Sequence, residues 1–262
     1  MVILKEIMHI DLEGGGLFFD VMLHFGTLFA IFVAFRHDIL KMIVEGLHIV
    51  GDVFANIGIW FSGFRGNERH YHKIVRTAYR KFVMLVIVST IPTGVIGILF
   101  KDTVELAGTM LIVPGICLLI TSVFLVIADY ADEGTKRPRE ASYVNAGLIG
   151  VAQGIATMPG LSRSGTTITA CGFEKKFAVK YSFIMSIPAV LGAVVLELKD
   201  VAKAPLQASA VPACAVATVI SAIVGYLSIC IMMRLIQGKK YKIFAVYCAI
   251  VGLITVGYGI FR

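Results

Sequence analysis

Long stretches of this chain carry no formal charge. Asp, Glu, Lys and Arg are all missing from 21–35, 82–100, 106–128, 141–162, 181–196, 204–233 and 243–261. A helix needs about 20 apolar residues to cross the hydrocarbon core of a bilayer. With ragged ends allowed, the runs predict six spanning helices at about 17–36, 81–100, 108–129, 181–198, 210–234 and 243–261. The predicted fold class is an all-α polytopic membrane protein. Residues 1–16 hold Lys5, Glu6, Asp11 and Glu13 and no apolar core of a signal peptide.

Between the first two spans the pattern changes. Ile39, Leu40, Met42, Ile43, Leu47, Val50, Phe54, Ile57, Trp60 and Phe61 recur at helical spacing. Asp38, Lys41, Glu45, His48 and Asp52 fall on the other face. This predicts an amphipathic helix over about 38–62, lying in the membrane interface with its charges solvated. The basic stretch 65–81 reads as a surface facing lipid headgroups.

Composition agrees with the pattern: the mean hydropathy is +0.86 and 16% of residues are charged. The net charge of +7 acquires meaning from its placement. Threading the six spans puts Lys5, Lys101, Lys199, Lys203 and Arg262 on one side and Arg163 inside the membrane; every other Lys and Arg falls on the opposite side. The positive-inside rule makes that basic side cytoplasmic. Such a distribution marks a membrane topology, and a nucleic-acid partner is not expected. The five cysteines are scattered at 117, 171, 214, 230 and 248, in no spacing that suggests a metal site or a disulfide framework.

One apolar segment does not suit a spanning helix. Residues 141–173 leave the basic side and must return to it, and they are broken by Gly147, Gly150, Gly154, Pro159, Gly160 and Gly165. Proline removes a helical hydrogen bond, and glycine admits backbone conformations that a helix cannot use. A re-entrant hairpin turning at about 159–165 is predicted. Its tip reads Pro159-Gly160-Leu161-Ser162-Arg163-Ser164-Gly165-Thr166-Thr167. An arginine at membrane depth needs an anionic partner, and 141–173 contains no Asp or Glu. A guanidinium is a planar, permanently charged fork that matches phosphate oxygens. Ser162, Ser164, Thr166 and Thr167 add hydroxyl donors, and a helix starting near Gly165 would add free N–H groups. The segment therefore predicts a phosphate cradle, with Gln153 a further polar lining residue. The reading from the residues alone leaves open a transporter's broken helix in which Arg163 bonds to carbonyls.

The chain also divides in two. Phe19–Ile39 aligns with Tyr181–Val201 at a fixed offset, which sets Asp20 on Ser182 and His24 on Ser186. Thr90-Ile91-Pro92 and Ser186-Ile187-Pro188 suggest a competing match. Each half ends in three spans, an odd number, so the halves take opposite orientations, as in an inverted repeat. The halves are 1–140 and 141–262. Under the offset, the first half's own re-entrant loop would fall almost wholly before Met1.

The run Gly150-Val151-Ala152-Gln153-Gly154-Ile155-Ala156, followed by Pro159-Gly160-Leu161-Ser162-Arg163-Ser164-Gly165, resembles the undecaprenyl-diphosphate phosphatases, the bacitracin-resistance proteins. Phe19-Asp20-Val21-Met22-Leu23-His24-Phe25-Gly26-Thr27-Leu28 is similar to that family's first long helix. The resemblance covers essentially the whole chain. It implies a hydrolase that takes one phosphate from the C55 isoprenoid diphosphate, regenerates the lipid carrier of peptidoglycan synthesis and confers bacitracin resistance. It implies Arg163, Ser162 and Ser164 as catalytic residues, with Gly160, Gly165, Thr166, Thr167 and Gln153 around the phosphate. It also implies Mg²⁺ or Ca²⁺, whose ligands are expected in an N-terminal loop that the family carries and this sequence lacks. Asp20 and His24, one turn apart, are candidates for supporting roles behind the site. A lipid-phosphate transporter or an inactive fragment are the alternatives. The implied setting is the bacterial inner membrane, with the polyprenyl diphosphate and the bilayer as partners, a second copy of the chain as a candidate partner, and an outward-facing site.

Overall fold

The computed structural model describes residues 16–62, 70–131, 134, 137–164, 172–201, 211–238 and 241–261. The longer helices among these are α1 Gly16–Ala34, α2 Arg36–Ser62, α3 Ala78–Leu99, α4 Lys101–Thr109, α5 Ile112–Tyr130, α6 Tyr143–Ile155, α7 Lys175–Val201, α8 Val211–Gln237 and α9 Tyr241–Phe261. No sheet forms among the described residues. Six helices are long and apolar enough to cross a membrane: α2, α3, α5, α7, α8 and α9. The chain is a multi-pass membrane protein.

The span expected at 17–36 coincides with α1, and the helix expected at the interface, α2, is itself long and apolar enough to cross a membrane. The span at 108–129 starts later, at Ile112, after the separate helix α4. Pro114 explains the break. In a helix continuing from α4 it would lack the N–H due to Met110 and clash with that carbonyl. In the first turn of α5 its missing N–H is one of the donors that a helix start leaves unused.

Hydrophobic burial gives little drive for helices to associate in lipid, so close packing and small residues decide which ones pair. The tightest pairs, α5 with α9, α1 with α8 and α3 with α6, meet through glycine. A Cβ on Gly26 would sit 2.5 Å from the Thr218 carbonyl oxygen, one on Gly115 2.7 Å from Val256 Cγ2, and one on Gly150 2.2 Å from the Ser89 carbonyl oxygen. Thr93 seals the last contact, donating its hydroxyl to the Gly150 carbonyl at 2.7 Å. Most large apolar side chains on the outer faces stay exposed, as a lipid solvent allows.

The acidic residues of α2 point inward rather than to solvent. Arg80, almost fully buried, donates to Glu45 at 2.8 Å and also to Asp52, and reaches the Ile74 carbonyl at 2.9 Å. Asp38 accepts from Tyr79 at 3.0 Å and pairs with Lys180 at 2.9 Å. The predicted solvated face is therefore the face that docks. Its pairs fall on residues ahead of α3 and in the first turns of α3 and α7, at one end of the bundle. Leu40, Ile43, Leu47, Val50, Phe54, Ile57 and Phe61 form the outer face instead.

Lys175, one of the residues on the basic side, is buried. Its Nζ donates to the carbonyls of Ala128 at 2.7 Å and Ala131 at 3.0 Å, capping the C-terminus of α5, where a positive charge is favoured. Phe173, Phe177, Tyr181 and Phe82 close around this start of α7, with ring centroids 5.3 to 6.4 Å apart.

Gly150→Ala should lower the melting temperature in detergent by an amount matching about 1–3 kcal/mol of overpacking. Gly147→Ala, which meets nothing within 4 Å, should leave it within a degree or so of the parent; a circular-dichroism melt of both decides. Arg80→Ala should free α2, seen as faster trypsin cleavage at the exposed Lys73 and Arg76 with turnover of the remaining intact chain retained.

Candidate active site

α6 has 13 residues, about 20 Å at 1.5 Å each, too short to cross the bilayer core. Ser142 opens it, its hydroxyl accepting from the Asn145 N–H at 3.0 Å. Gly150 and Gly154 lie one turn apart and let the helix press against Ser89, Pro92 and Ile96 of α3. The helix ends at Ile155, and a chain of turns carries on to Leu161: Thr157 N–H to Gly154, Met158 N–H to Ile155 and Leu161 N–H to Met158. Gly160 has φ +89°, a conformation in the left-handed region that L side chains rarely adopt. A Cβ there would also lie 2.4 Å from the Pro114 carbonyl oxygen. Helical backbone resumes at Arg163, two residues ahead of the expected Gly165.

The turn sits against the middle of α5. Thr121, the central residue of that helix, is buried and faces it. Its hydroxyl donates to the Gly160 carbonyl at 2.9 Å and accepts from the Ser162 N–H at 2.8 Å. Thr90, Thr218 and Thr255 instead return their hydroxyls to the carbonyl four residues back in their own helices. From α6, buried Gln153 turns its amide nitrogen to the Arg163 carbonyl at 3.1 Å and to the Ser182 hydroxyl at 2.8 Å. Buried backbone polar groups must find partners. Two side chains from two helices supply three of them between Gly160 and Arg163. Each such bond contributes about 1 kcal/mol, and each broken one would cost about 1–3 kcal/mol in a group left unsatisfied.

Around this frame, Ser164 is buried, and Ser162 and Arg163 are half-buried. The expected Ser-Arg-Ser set is thus gathered on one short turn between α5, α6 and α7. Gly165, Thr166 and Thr167 lie outside the described residues. Gln153, expected as a lining residue, spends its amide donors on protein acceptors. His24 is exposed on α1, its carbonyl accepting from Thr27 at 2.9 Å, and the Asp20 side chain lies outside the described residues. Among the described residues no hydrogen bond joins His24 to the turn. Thr121 and Ser182 were absent from the expected site. Ser182 was aligned with Asp20 by the offset, a hint at a matched position, whereas nothing in the sequence near Thr121 distinguishes it from other intramembrane hydroxyls.

These features define a class: a multi-pass helical membrane protein with a hydroxyl- and guanidinium-bearing turn packed against the middle of a long apolar helix. The chain belongs to the family described as bacitracin resistance protein BacA, whose model matches residues 1–254. It is 39% identical to an undecaprenyl-diphosphatase of Methanosphaera stadtmanae over 246 residues, covering 92% of this chain and 84% of that one. It is 40% identical to one of Methanobrevibacter smithii over 242 residues, covering 90% and 82%. Against one of Halothermothrix orenii the identity is 32% over 259 residues, covering 98% and 88%.

Gly160→Ala combines an unfavourable φ, costing about 1–2 kcal/mol, with a clash against the Pro114 carbonyl. It should abolish turnover and lower the melting temperature, whereas Gly147→Ala should do neither, in a paired activity and thermal-shift assay.

Proposed function

We propose that this chain is an undecaprenyl-diphosphate phosphatase, hydrolysing the lipid diphosphate to undecaprenyl phosphate and inorganic phosphate. Its product is the lipid carrier of peptidoglycan synthesis, and bacitracin resistance follows from removing the diphosphate. The observation that carries the reading is the family match together with the Ser162-Arg163-Ser164 turn, whose backbone is held by Thr121 and Gln153.

In the reaction, water adds to the terminal phosphorus and the bond to the bridging oxygen breaks. The lipid monophosphate departs with that oxygen. Phosphoryl transfer of this kind depends on positioning and on stabilising charge spread over the equatorial oxygens. Arg163 is the fixed cation for those oxygens, and its fork allows two parallel hydrogen bonds. Ser162 and Ser164 flank it and orient the group, with Gly165, Thr166 and Thr167 as further contacts. The low-dielectric setting strengthens each of these interactions relative to water.

Among the described residues no group of three His, Cys, Asp or Glu could hold a metal ion. The described part does not by itself fit the Mg²⁺ or Ca²⁺ that the resemblance implies.

We further read 141–173 as a re-entrant hairpin in an inverted repeat. α7 starts beside the end of α5 from which the chain set out: a Cβ on Gly134 would lie 2.3 Å from the Gly172 carbonyl. Exchanging α1 with α7, α3 with α8 and α5 with α9 turns the α1–α8 contact into the α7–α3 contact and maps α5–α9 and α1–α7 onto themselves. Exposed Arg36, Lys41, Lys73, Arg76, Arg137, Arg139 and Lys176 share the end where α2 lies. That end is cytoplasmic in this reading, with α2 along the interface and the site open to the other side of the cell membrane.

The test is phosphate release from a long-chain polyprenyl diphosphate by the purified chain in detergent. Arg163→Ala should cut kcat by about 10²–10³-fold, the usual loss on removing a transition-state charge partner. Release that does not depend on Arg163 would reject the assignment.

A further inference from the structure

We infer that Thr121 and Gln153 are positioning residues that set the aim of Arg163 by gripping the backbone of its turn. The inference rests on the reading of Arg163 as the phosphoryl clamp. The contacts run from three helices to the backbone that carries Arg163. Thr121 Oγ1 bridges the Gly160 carbonyl and the Ser162 N–H, fixing the backbone on both sides of Leu161. The Gln153 amide fixes the Arg163 carbonyl and is itself anchored to Ser182 of α7. Thr121, Gln153 and Ser182 are each 2% exposed, so water does not substitute for them.

The arrangement is specific. A threonine in mid-helix ordinarily satisfies its hydroxyl on its own helix, as Thr90, Thr218 and Thr255 do. Thr121 turns outward to a loop that shares no secondary structure with it. The positions of the side chains on a turn follow its φ and ψ. With Gly160 in the left-handed region, the turn holds a conformation that needs fixing from outside. Rotating the peptide between Leu161 and Ser162 would swing Arg163 away from the phosphorus. A misplacement of about 1 Å at a reacting centre can cost about 10²-fold in rate.

The experiment measures kcat, KM and melting temperature for the full chain and its variants on the same polyprenyl diphosphate. Thr121→Val removes the donor and the acceptor at nearly constant volume. It should lower kcat about 10- to 100-fold with KM changed less than about threefold. Thr121→Ser, which keeps the oxygen, should restore most of the rate. Gln153→Met should fall in the same direction as Thr121→Val.

The decisive comparison is with Arg163→Lys, which keeps charge but loses the fork. If Thr121 acts through Arg163, adding Thr121→Val to Arg163→Lys costs far less than it does in the parent. Full multiplication of the two losses would overturn the inference, as would a Thr121→Val variant that melts lower but turns over at the parent kcat. Arg163→Ala with unchanged kcat, or no release by the parent chain, would instead remove the phosphoryl-clamp reading on which the inference stands.

Discussion

Irregular backbone buried among helices must find its hydrogen-bond partners in the protein, and this constraint organises the turn between α6 and α7. Between Ile155 and Arg163 the chain leaves the helix that satisfied its N–H and C=O groups. Thr121 and Gln153, which hold the turn, are buried, so the protein itself supplies the partners. Local turns take some of the groups, and Thr121 and Gln153 take the Gly160 carbonyl, the Ser162 N–H and the Arg163 carbonyl. The supports come from opposite sides, α5 and α6, so the turn is fixed only when both helices are in place. The glycine contacts of α6 with α3, and of α5 with α9, are what allow them to come so close.

Charge is handled by the same logic at the other end. Arg80, Lys175 and Lys180 belong to the basic side, yet they work inside the protein. Arg80 and Lys180 hold α2 through Glu45, Asp52 and Asp38, and Lys175 caps α5 where the chain returns. The aromatic group of Phe82, Phe173, Phe177 and Tyr181 packs around that return. The Tyr181 hydroxyl, fully buried, bonds the Leu85 carbonyl at 2.9 Å and the Ser89 hydroxyl at 3.0 Å. Ser89 is also where Gly150 makes its close approach. The anchoring of α7 and the placement of α6 therefore meet on one turn of α3.

For the lipid phosphatase proposed above, this construction would separate two tasks. The outer faces stay apolar and exposed, suited to the bilayer and to an isoprenoid chain. The hydroxyls and the guanidinium of 162–164 sit on a turn whose backbone Thr121 and Gln153 hold. A site whose catalysis is mostly electrostatic gains from such fixing, because the donors need no reorganisation as charge develops.

The sequence by itself determined the class of the protein, the presence of many long apolar helices and the position of a break at Pro159-Gly160. Those signals are local. An uncharged run, a Pro-Gly pair and an arginine amid apolar residues have the same physical meaning wherever they fold. It also marked Gly160 as a break, and the φ of +89° is the form that break takes. What lay beyond it was partnership. The face of α2 carrying Asp38, Glu45 and Asp52 looked solvated because periodicity shows which residues share a face but not what lies opposite. The start of α5 slipped past 108 because hydropathy does not register where Pro114 can be tolerated. Thr121 was invisible because a hydroxyl in mid-helix reads the same whether it bonds its own helix or a loop 39 residues away. Only the tertiary structure decides such pairings, since they depend on the close approach of helices distant in sequence, and that approach is set by packing.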